Sequence, residues 1–157
     1  MAYVGLGSNL DDPASQLRAA IRALDRIAHT RVRRTSRLYR TPPWGRTDQP
    51  EFVNAVAELE TGLTPQALLS ALQVIERATG RERIERWGPR VLDLDLLLHG
   101  VATIDAPGLR LPHPHLHERA FVLLPLAELS PDLPVPGRGT VRSLLAAVDC
   151  AGIEAIG

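Results

Sequence analysis

The sequence predicts a single α+β domain, residues 1–157, built on an antiparallel sheet. The chain has 157 residues, 45% of them hydrophobic and 23% charged, a length and composition ordinary for one globular domain. Apolar residues alternate with a period of two in some segments and recur at helical spacing in others. The resulting order is strand, helix, strand, strand, helix, strand. This order is that of a ferredoxin-like βαββαβ domain, in which both helices pack on one face of the sheet and leave the other free.

Local signals place the first elements. Val4 and Leu6 alternate with small residues in the first strand, and Asp12-Pro13 is typical of an N-cap followed by the first helical residue. The apolar residues of this first helix recur at helical spacing: Leu17, Ile21, Leu24 and Ile27. A weaker pattern predicts a second strand over residues 32–39.

The remaining elements follow from stronger patterns. A third strand is predicted over residues 52–60, and Thr64-Pro65 begins a second helix. A strongly apolar strand runs from residue 91 to about residue 98. A Pro/His segment, a helix over 118–129 and a short helix over 141–148 form a C-terminal extension, which is expected to pack around the edges of the sheet.

Composition excludes several classes of protein. The formal net charge is zero and the pI is near 7.0, whereas a nucleic-acid binder usually carries a basic excess. All 18 basic residues are Arg, so any phosphate must be held by guanidinium and backbone N–H groups. Cys150 is the only cysteine, which excludes an intrachain disulfide. No signal-peptide pattern or membrane-length apolar stretch is present, so a cytoplasmic protein that does not bind a membrane is expected. A monomer that does not bind nucleic acid is also expected.

Two aspartates stand out in the apolar strand near residue 94. Leu92, Leu94, Leu96 and Leu98 are expected to face the helices, because alternate side chains on a strand share a face. Asp93 and Asp95 then lie together on the other face, about 7 Å apart. Their spacing suits magnesium, which takes oxygen ligands from one or two carboxylates and from substrate phosphates. Two solvated aspartates, or partners for nearby arginines, remain the alternatives.

An arginine-rich loop precedes this strand and strengthens the metal hypothesis. Four arginines lie in the loop of residues 80–90, just before the carboxylate pair: Arg81, Arg83, Arg86 and Arg90. Phosphoryl transfer relies mainly on positioning and on charge stabilisation by metal ions and arginines. A surface network in which these arginines pair with nearby carboxylates is the competing interpretation.

The third strand offers a second candidate group. If Val53, Ala55 and the following alternate residues face the helices, Phe52 and Asn54 face the same side as the two aspartates. An aromatic plane beside an amide suits a flat heterocycle, because the ring stacks and the amide bonds to the ring edge. Ordinary packing of a strand aromatic is the alternative.

Two common nucleotide-binding motifs are incomplete in this chain, and a histidine-containing segment has two interpretations. Gly5-Leu6-Gly7 lacks the third glycine of a dinucleotide fingerprint, and a P-loop needs a lysine that the chain does not have. His113, His115 and His117 occupy alternate positions after Pro112 and could be zinc ligands. A single phosphate-contacting histidine with exposed neighbours is the favoured interpretation.

Blocks along nearly the whole chain resemble one family. The run from Arg86 to Leu97, RWGPRVLDLDLL, resembles the signature of the 6-hydroxymethyl-7,8-dihydropterin pyrophosphokinases. Further blocks occur in the expected order: Gly7-Ser8-Asn9-Leu10, Tyr39-Arg40-Thr41-Pro42-Pro43, Asp48-Gln49-Pro50 with Phe52 and Asn54, Pro112-His113-Pro114, and Arg119-Ala120-Phe121. Three positions depart from the usual pattern: Phe52 replaces a common Tyr, Asp11 stands where Gly is frequent, and Arg110 adds a charge of unassigned role.

The resemblance implies a ferredoxin-like fold and transfer of diphosphate from ATP to the pterin, leaving AMP. It implies that Asp93 and Asp95 bind two magnesium ions and act in catalysis together with Arg83 and Arg90. The ATP-binding residues implied are Gln73, Glu76, Arg81, Arg86, Trp87, Leu96, His113 and Arg119. The pterin-binding residues implied are Thr41, Pro42, Pro43, Trp44, Phe52, Asn54 and Phe121, with Phe52 and Phe121 on the two sides of the ring.

Two other functions compete with this one. A metal-dependent phosphohydrolase could use the same two aspartates, and it would release inorganic phosphate without needing a pterin. A ferredoxin-like RNA binder could use strand aromatics and arginines. The neutral charge and the aspartates at the sheet centre argue against RNA, because carboxylates repel a phosphate backbone.

Overall fold

A computed structural model describes residues 1–10, 12–41, 51–79 and 92–157. The strands of its main sheet are β1 (Ala2–Ser8), β2 (Thr30–Thr35), β3 (Tyr39–Thr41), β4 (Phe52–Thr61), β5 (Asp93–His99) and β10 (Glu154–Ala155). They lie in the order β10-β3-β4-β1-β5, with β2 also paired to β4, and every pairing is antiparallel. The strand at the centre, β1, is therefore flanked by the two strands that carry the candidate site residues.

Two helices cover one face of the sheet. They are α1 (Pro13–Leu24) and α2 (Pro65–Ala78), and both begin at a proline as predicted. Leu17 and Leu24 of α1 and Leu68 and Leu72 of α2 are fully buried against Val4 and the apolar side chains around it. The Thr64 side chain accepts a hydrogen bond from the N–H of Ala67 and caps α2.

The first helix begins without the cap that the sequence predicts. Asp12 adopts a left-handed conformation with φ of 58°, and its side chain accepts no bond from the helix backbone. Its carboxylate instead accepts a hydrogen bond from the Ser15 hydroxyl at 2.9 Å. The proposed N-cap position was right, but the side-chain capping interaction was wrong.

The second face is not free along its whole length. The C-terminal helices α3 (Ala120–Leu129) and α4 (Val141–Leu145) pack on it over Tyr3, Val56 and Leu97 in a second apolar cluster. The expectation that the extension would pack only around the edges was therefore wrong, because its strongly apolar helix needs a sheet face to bury. Only β10 takes an edge position, beside β3.

The strand that carries the aspartates contains a β-bulge. Val4 pairs with Leu96 and Tyr3 with Leu98, so β5 has one extra residue opposite β1 at this point. Leu97 and Leu98 both join the second apolar cluster as a result. The prediction that Leu98 faces α1 and α2 was wrong, whereas Leu92, Leu94 and Leu96 do face them.

The predicted second strand is divided in two. β2 ends at Thr35 and β3 begins at Tyr39, and Ser36 bonds to both the N–H and the C=O of Val56 between them. β2 also carries a bulge that leaves Arg34, and not Arg33, opposite Glu58.

Short elements not expected from the sequence complete the fold. They are the hairpin of β6 (Ile104–Ala106) and β7 (Leu109–Leu111), the 3-10 turn η1 (Leu116–Glu118), and the hairpin of β8 (Pro134–Val135) and β9 (Gly139–Thr140). None of the helices in the described ranges is both long and apolar enough to cross a membrane.

Candidate active site

A row of four residues crosses four strands on the second face of the sheet. Tyr39 pairs with Asn54, Asn54 with Gly7, and Gly7 with Asp93, so all four side-chain positions share this face. Gly5 and Asp95 follow in the next row. Two glycines thus separate Asn54 from the two carboxylates in the sheet, and the side chains of Asn54 and Leu97 lie over Gly7 and Gly5.

The amide of Asn54 is held in one orientation. Its Nδ2 donates to the Thr41 hydroxyl at 2.9 Å, and both residues are buried. Its Oδ1 lies over Gly7, where a Cβ atom would come within 2.8 Å of it. Gly7 is therefore required for this arrangement, because real Cβ atoms do not approach an oxygen so closely.

The carboxylate pair is half-buried at the outer strand of the sheet. Asp93 and Asp95 point to the second face as predicted, and the N–H of Leu94 between them donates to Glu76 Oε2 at 2.8 Å. Glu76 belongs to α2, so this bond fixes the strand segment that carries the aspartates to the helix behind it. Gln73 lies one turn earlier on α2 and is exposed.

A cleft of about 360 Å³ runs along the outer edge of β5. The sequence-predicted residues Asp95, Leu96 and His113 line it. Leu69 of α2 and the β6–β7 hairpin, with Pro107, Gly108 and Arg110, complete its walls. The sequence did not assign Leu69 or the hairpin residues to the site. Pro107-Gly108 between two short alternating runs is nevertheless a hairpin signal.

His113 separates this cleft from a second cleft of about 340 Å³ on its other side, lined in part by His117 and Arg138. Burial, with the positive charge of Arg119 and then His115, lowers the pKa of His113 to about 4. Its Nδ1 accepts the N–H of His115 at 3.2 Å, so the neutral ring carries its proton on Nε2. His113 can therefore donate a hydrogen bond to an anion without being charged.

The other two histidines of the segment lie beside Glu118. His115 Nδ1 and His117 Nε2 are 3.8 and 3.3 Å from Glu118 Oε1. Within the described ranges no three His, Cys, Asp or Glu side chains come together as metal ligands. The two oxygen-donor carboxylates of Asp93 and Asp95 suit a hard cation that completes its coordination with phosphate oxygens and water.

The first turn of α3 brings an arginine and an aromatic ring together. The guanidinium carbon of Arg119 lies 5.7 Å from the centre of the Phe121 ring, within range of a cation–π contact. Phe121 is half-buried at the margin of the second apolar cluster, and Phe52 is half-buried on β4. No ring contact joins Phe52 to Phe121 in the described part of the chain.

Several predicted site residues lie outside the described residues. They are Pro42, Pro43 and Trp44 after β3, and Arg81, Arg83, Arg86, Trp87 and Arg90 before β5.

The described geometry defines a class of protein. A carboxylate pair beside a cleft with a neutral imidazole donor and nearby guanidinium groups can bind a polyphosphate. An amide and an aromatic ring in the same face can bind a flat second substrate. These features indicate an enzyme that transfers a phosphoryl-type group between two small molecules.

Comparison with known proteins gives the family. Residues 3–131 match the family described as 7,8-dihydro-6-hydroxymethylpterin-pyrophosphokinase (HPPK). A 2-amino-4-hydroxy-6-hydroxymethyldihydropteridine pyrophosphokinase of Pseudomonas aeruginosa is 53% identical over 97% of this chain and 94% of its own. A 2-amino-4-hydroxy-6-hydroxymethyldihydropteridine pyrophosphokinase of Methylorubrum extorquens is 50% identical over 99% of this chain and 98% of its own. The chain belongs to the HPPK family.

Solved structures show the same fold. A crystal structure of wild-type Plasmodium falciparum HPPK-DHPS with SDX-DHP matches with a TM-score of 0.68 at 15% identity over 93% of this chain. A structure of HPPK-DHPS in complex with substrates gives a TM-score of 0.69 at 13% identity. The chain spans 43% of each of these longer proteins.

Proposed function

We propose that this protein transfers the terminal diphosphate of ATP to the hydroxymethyl group of 6-hydroxymethyl-7,8-dihydropterin, a step of folate biosynthesis. The observation that carries the proposal is the row from Asn54 through Gly7 to Asp93. In this row the Asn54 amide and the Asp93 carboxylate lie two strands apart, which supports binding of a heterocycle beside one and of metal-bound phosphate beside the other. Family membership supports the same reaction.

The pterin is proposed to lie on the second face of the sheet, beside Asn54. Phe52 and Phe121 would stack on its two sides, while Asn54 and Thr41 would bind its polar edge. The residues predicted outside the described ranges, Pro42, Pro43 and Trp44, would complete this pocket. Stacking fixes the ring plane, so the hydroxymethyl group can be directed toward the carboxylate pair.

The nucleotide is proposed to occupy the cleft along β5. Leu69 and Leu96 would contact its base, and His113, Arg119 and the loop arginines Arg81, Arg83, Arg86 and Arg90 would hold its phosphates. Gln73, Glu76 and Trp87 are the remaining proposed nucleotide-side residues. Two Mg²⁺ ions held by Asp93 and Asp95 would neutralise phosphate charge when bound.

The reaction balances as a single displacement. The hydroxymethyl oxygen attacks the β-phosphorus, the bond from that phosphorus to the oxygen bridging it to the α-phosphorus breaks, and AMP leaves. The hydroxyl proton passes to solvent or to a phosphate oxygen. Asp93 and Asp95 orient the polyphosphate, and Arg83 and Arg90 would stabilise the charge that moves onto AMP.

We also propose that the domain has a ferredoxin-like arrangement. The sheet order β5-β1-β4 followed by β2 and β3, with α1 and α2 on one face, supports a ferredoxin-like arrangement. The neutral charge balance supports action on small molecules and not on nucleic acid. We further propose a monomer that works in the cytoplasm.

The deciding experiment incubates the protein with ATP, Mg²⁺ and 6-hydroxymethyl-7,8-dihydropterin and separates the products. Formation of AMP and pterin diphosphate in equal amounts, dependent on the pterin, is expected. Release of inorganic phosphate without the pterin would indicate a phosphohydrolase instead. If a folded sample catalyses neither reaction, the proposal is refuted.

A further inference from the structure

The C-terminal end of α3 is tied to β3 by directional polar contacts. Glu128 accepts a hydrogen bond from the Tyr39 hydroxyl at 2.5 Å and from the backbone N–H of Arg37 at 3.0 and 3.2 Å. The Arg37 guanidinium also lies 5.8 Å from the centre of the Tyr39 ring. Tyr39 is 3% exposed, so one end of this group of contacts lies within the protein.

Both elements that Glu128 links, β3 and α3, carry residues of the proposed pterin site. On β3, Tyr39 and Thr41 share a face, and Tyr39 is the direct cross-strand partner of Asn54. On α3, Phe121 and Glu128 are seven residues apart, which is close to two full turns. They therefore lie on the same side of the helix, about 10 Å apart along its axis.

The rest of the packing of α3 does not fix its position as strictly. Ser130, the C-cap residue of α3, contacts Tyr3 and Arg34, but the remaining contacts of the helix with the sheet are apolar, through Val122, Leu123, Leu126 and Leu129, and apolar contact has no preferred direction. Pro125 also removes the helical hydrogen bond to the carbonyl of Phe121, so the first turn is held less firmly by the helix itself. Directional bonds at Glu128 would limit sliding or rotation of the helix over the sheet.

We propose that Glu128 is a positioning residue for the pterin site. Through Tyr39 and the backbone of Arg37, it fixes the side of α3 that carries Phe121 relative to Asn54 and Thr41. The inference rests on the proposed function, because it assigns Phe121 and Asn54 to the same heterocycle. Glu128 itself touches neither substrate.

The test compares variants that remove the hydrogen bond between Tyr39 and Glu128 with a variant that keeps an acceptor at position 128. Glu128→Ala and Tyr39→Phe are expected to raise the dissociation constant for 6-hydroxymethylpterin, followed by its fluorescence, about three- to tenfold. The KM for ATP is expected to stay within about twofold of the wild-type value. Glu128→Gln, whose amide oxygen still accepts hydrogen bonds, should recover much of the loss. Glu60→Ala is the matched control, since it removes an ion pair with Arg31 and Arg33 on the same sheet but outside the site.

A double-mutant cycle with Phe121→Ala separates positioning from general stability. If Glu128 acts through Phe121, Glu128→Ala should cause no further loss of pterin affinity in the Phe121→Ala background. Thermal melting of every variant shows that binding is measured on folded protein. Additive losses, or unchanged pterin affinity in folded Glu128→Ala, would overturn the positioning role and leave the proposed function intact. A wild-type chain without pterin affinity would overturn both.

Discussion

At the scale of single residues, Gly7 is where a missing side chain matters most. An added Cβ would come within 2.8 Å of Asn54 Oδ1, so the amide would have to turn and give up its bond to Thr41. Gly7→Ala is expected to weaken pterin binding about tenfold or more, because one or two polar contacts to the ring are lost. Pterin fluorescence titration measures this, and nucleotide affinity should be preserved.

Gly62→Ala provides the control for that substitution. Its added Cβ would meet nothing closer than 3.7 Å, and the residue lies at the far end of β4 from the site. Its pterin affinity should equal that of the wild type. Equal affinities for Gly7→Ala and Gly62→Ala would show that the orientation of Asn54 is not used in binding.

Asp95 tests the carboxylate pair. Asp95→Asn keeps the shape but removes one charge, so catalysis should fall at least about a hundredfold and the Mg²⁺ concentration for half-maximal rate should rise. The variant should stay folded, because the amide keeps the shape and the hydrogen-bonding capacity of the carboxylate. Rates across a Mg²⁺ titration, with thermal melts, give the answer. The control is Asp132→Asn, an exposed aspartate paired with Arg142; a folded Asp95→Asn that matches it in rate would make the pair structural.

The buried ring of His113 makes folding stability depend on pH. Burial lowers its pKa from 6.5 to about 4, so between these values the unfolded chain binds a proton that the folded chain does not. Stability from this group is therefore complete above pH 6.5 and is lost as the pH falls toward 4. His113→Asn should have a smaller loss of Tm between pH 7 and pH 5 than the wild type. Parallel Tm curves would mean that His113 is not kept neutral by the fold.

The sequence predicted the residues whose side chains obey a simple period. Asp93 with Asp95, and Phe52 with Asn54, lie on the second face because alternation on a strand depends only on the strand itself. Leu69 and Arg110 were not predicted, because they meet only when a helix and a distant hairpin pack against the same strand edge. Such long-range contacts leave no local pattern in the sequence.

At the scale of elements, the β6–β7 hairpin forms one wall of the cleft along β5, where the nucleotide is proposed to bind. Its two-residue loop depends on Gly108, whose φ of 80° is unfavourable for any residue with a Cβ. Gly108→Ala is expected to cost about 1–2 kcal/mol of stability and to raise the KM for ATP about two- to tenfold. The KM for the pterin should not change, which steady-state kinetics with each substrate varied will show.

Gly100→Ala controls for backbone strain alone. Gly100 has a φ of 56°, and like Gly108 it has no atom within 4 Å of an added Cβ. The two variants should lose similar stability, but only Gly108→Ala should lose ATP affinity. If both raise the KM for ATP equally, the hairpin has no specific part in nucleotide binding.

The element boundaries that the sequence could not supply depend on partner strands. The bulge in β5 turns Leu98 away from α1 and α2, although Leu98 continues the alternation of Leu92, Leu94 and Leu96 in the sequence. The break between β2 and β3 likewise arises because Ser36 bonds to Val56 of the neighbouring strand. In both places the sequence pattern is continuous, and the register against another strand decides the outcome.

At the scale of the whole molecule, a polar network holds the C-terminal part on the sheet. Glu58 of β4, 5% exposed, accepts bonds from the Tyr3 hydroxyl and, through both carboxylate oxygens, from Arg34. Ser130, just after α3, contacts both Tyr3 and Arg34. Three strands and the end of α3 therefore meet at one carboxylate. The apolar composition of α3 indicates that it must be buried, but only the fold shows which polar groups orient it.

This network predicts a loss of stability in acid that depends on Glu58. The hydrogen bonds from Arg34, with a further one from Tyr3, lower the pKa of Glu58 below its usual 4.5. The folded state thus favours the charged carboxylate, and its stabilising effect is present above pH 4.5 and is lost as the pH falls through the lowered pKa. Glu58→Gln keeps the shape and can still accept hydrogen bonds, but it has no charge to lose.

Glu58→Gln is therefore expected to be less stable than the wild type at pH 7 by about 1–3 kcal/mol, the usual contribution of hydrogen bonds to a charged group. For a domain of this size that corresponds to a fall in Tm of about 3–10 °C. The difference should shrink as both proteins are acidified toward pH 3, where the wild-type carboxylate is protonated. Thermal melts across this range measure it, with Glu60→Gln, an exposed ion-paired glutamate, as the control. A difference in Tm that stays constant down to pH 3 would show that Glu58 acts through hydrogen bonds that the glutamine amide cannot accept, and that its charge does not hold the C-terminal helices on the sheet.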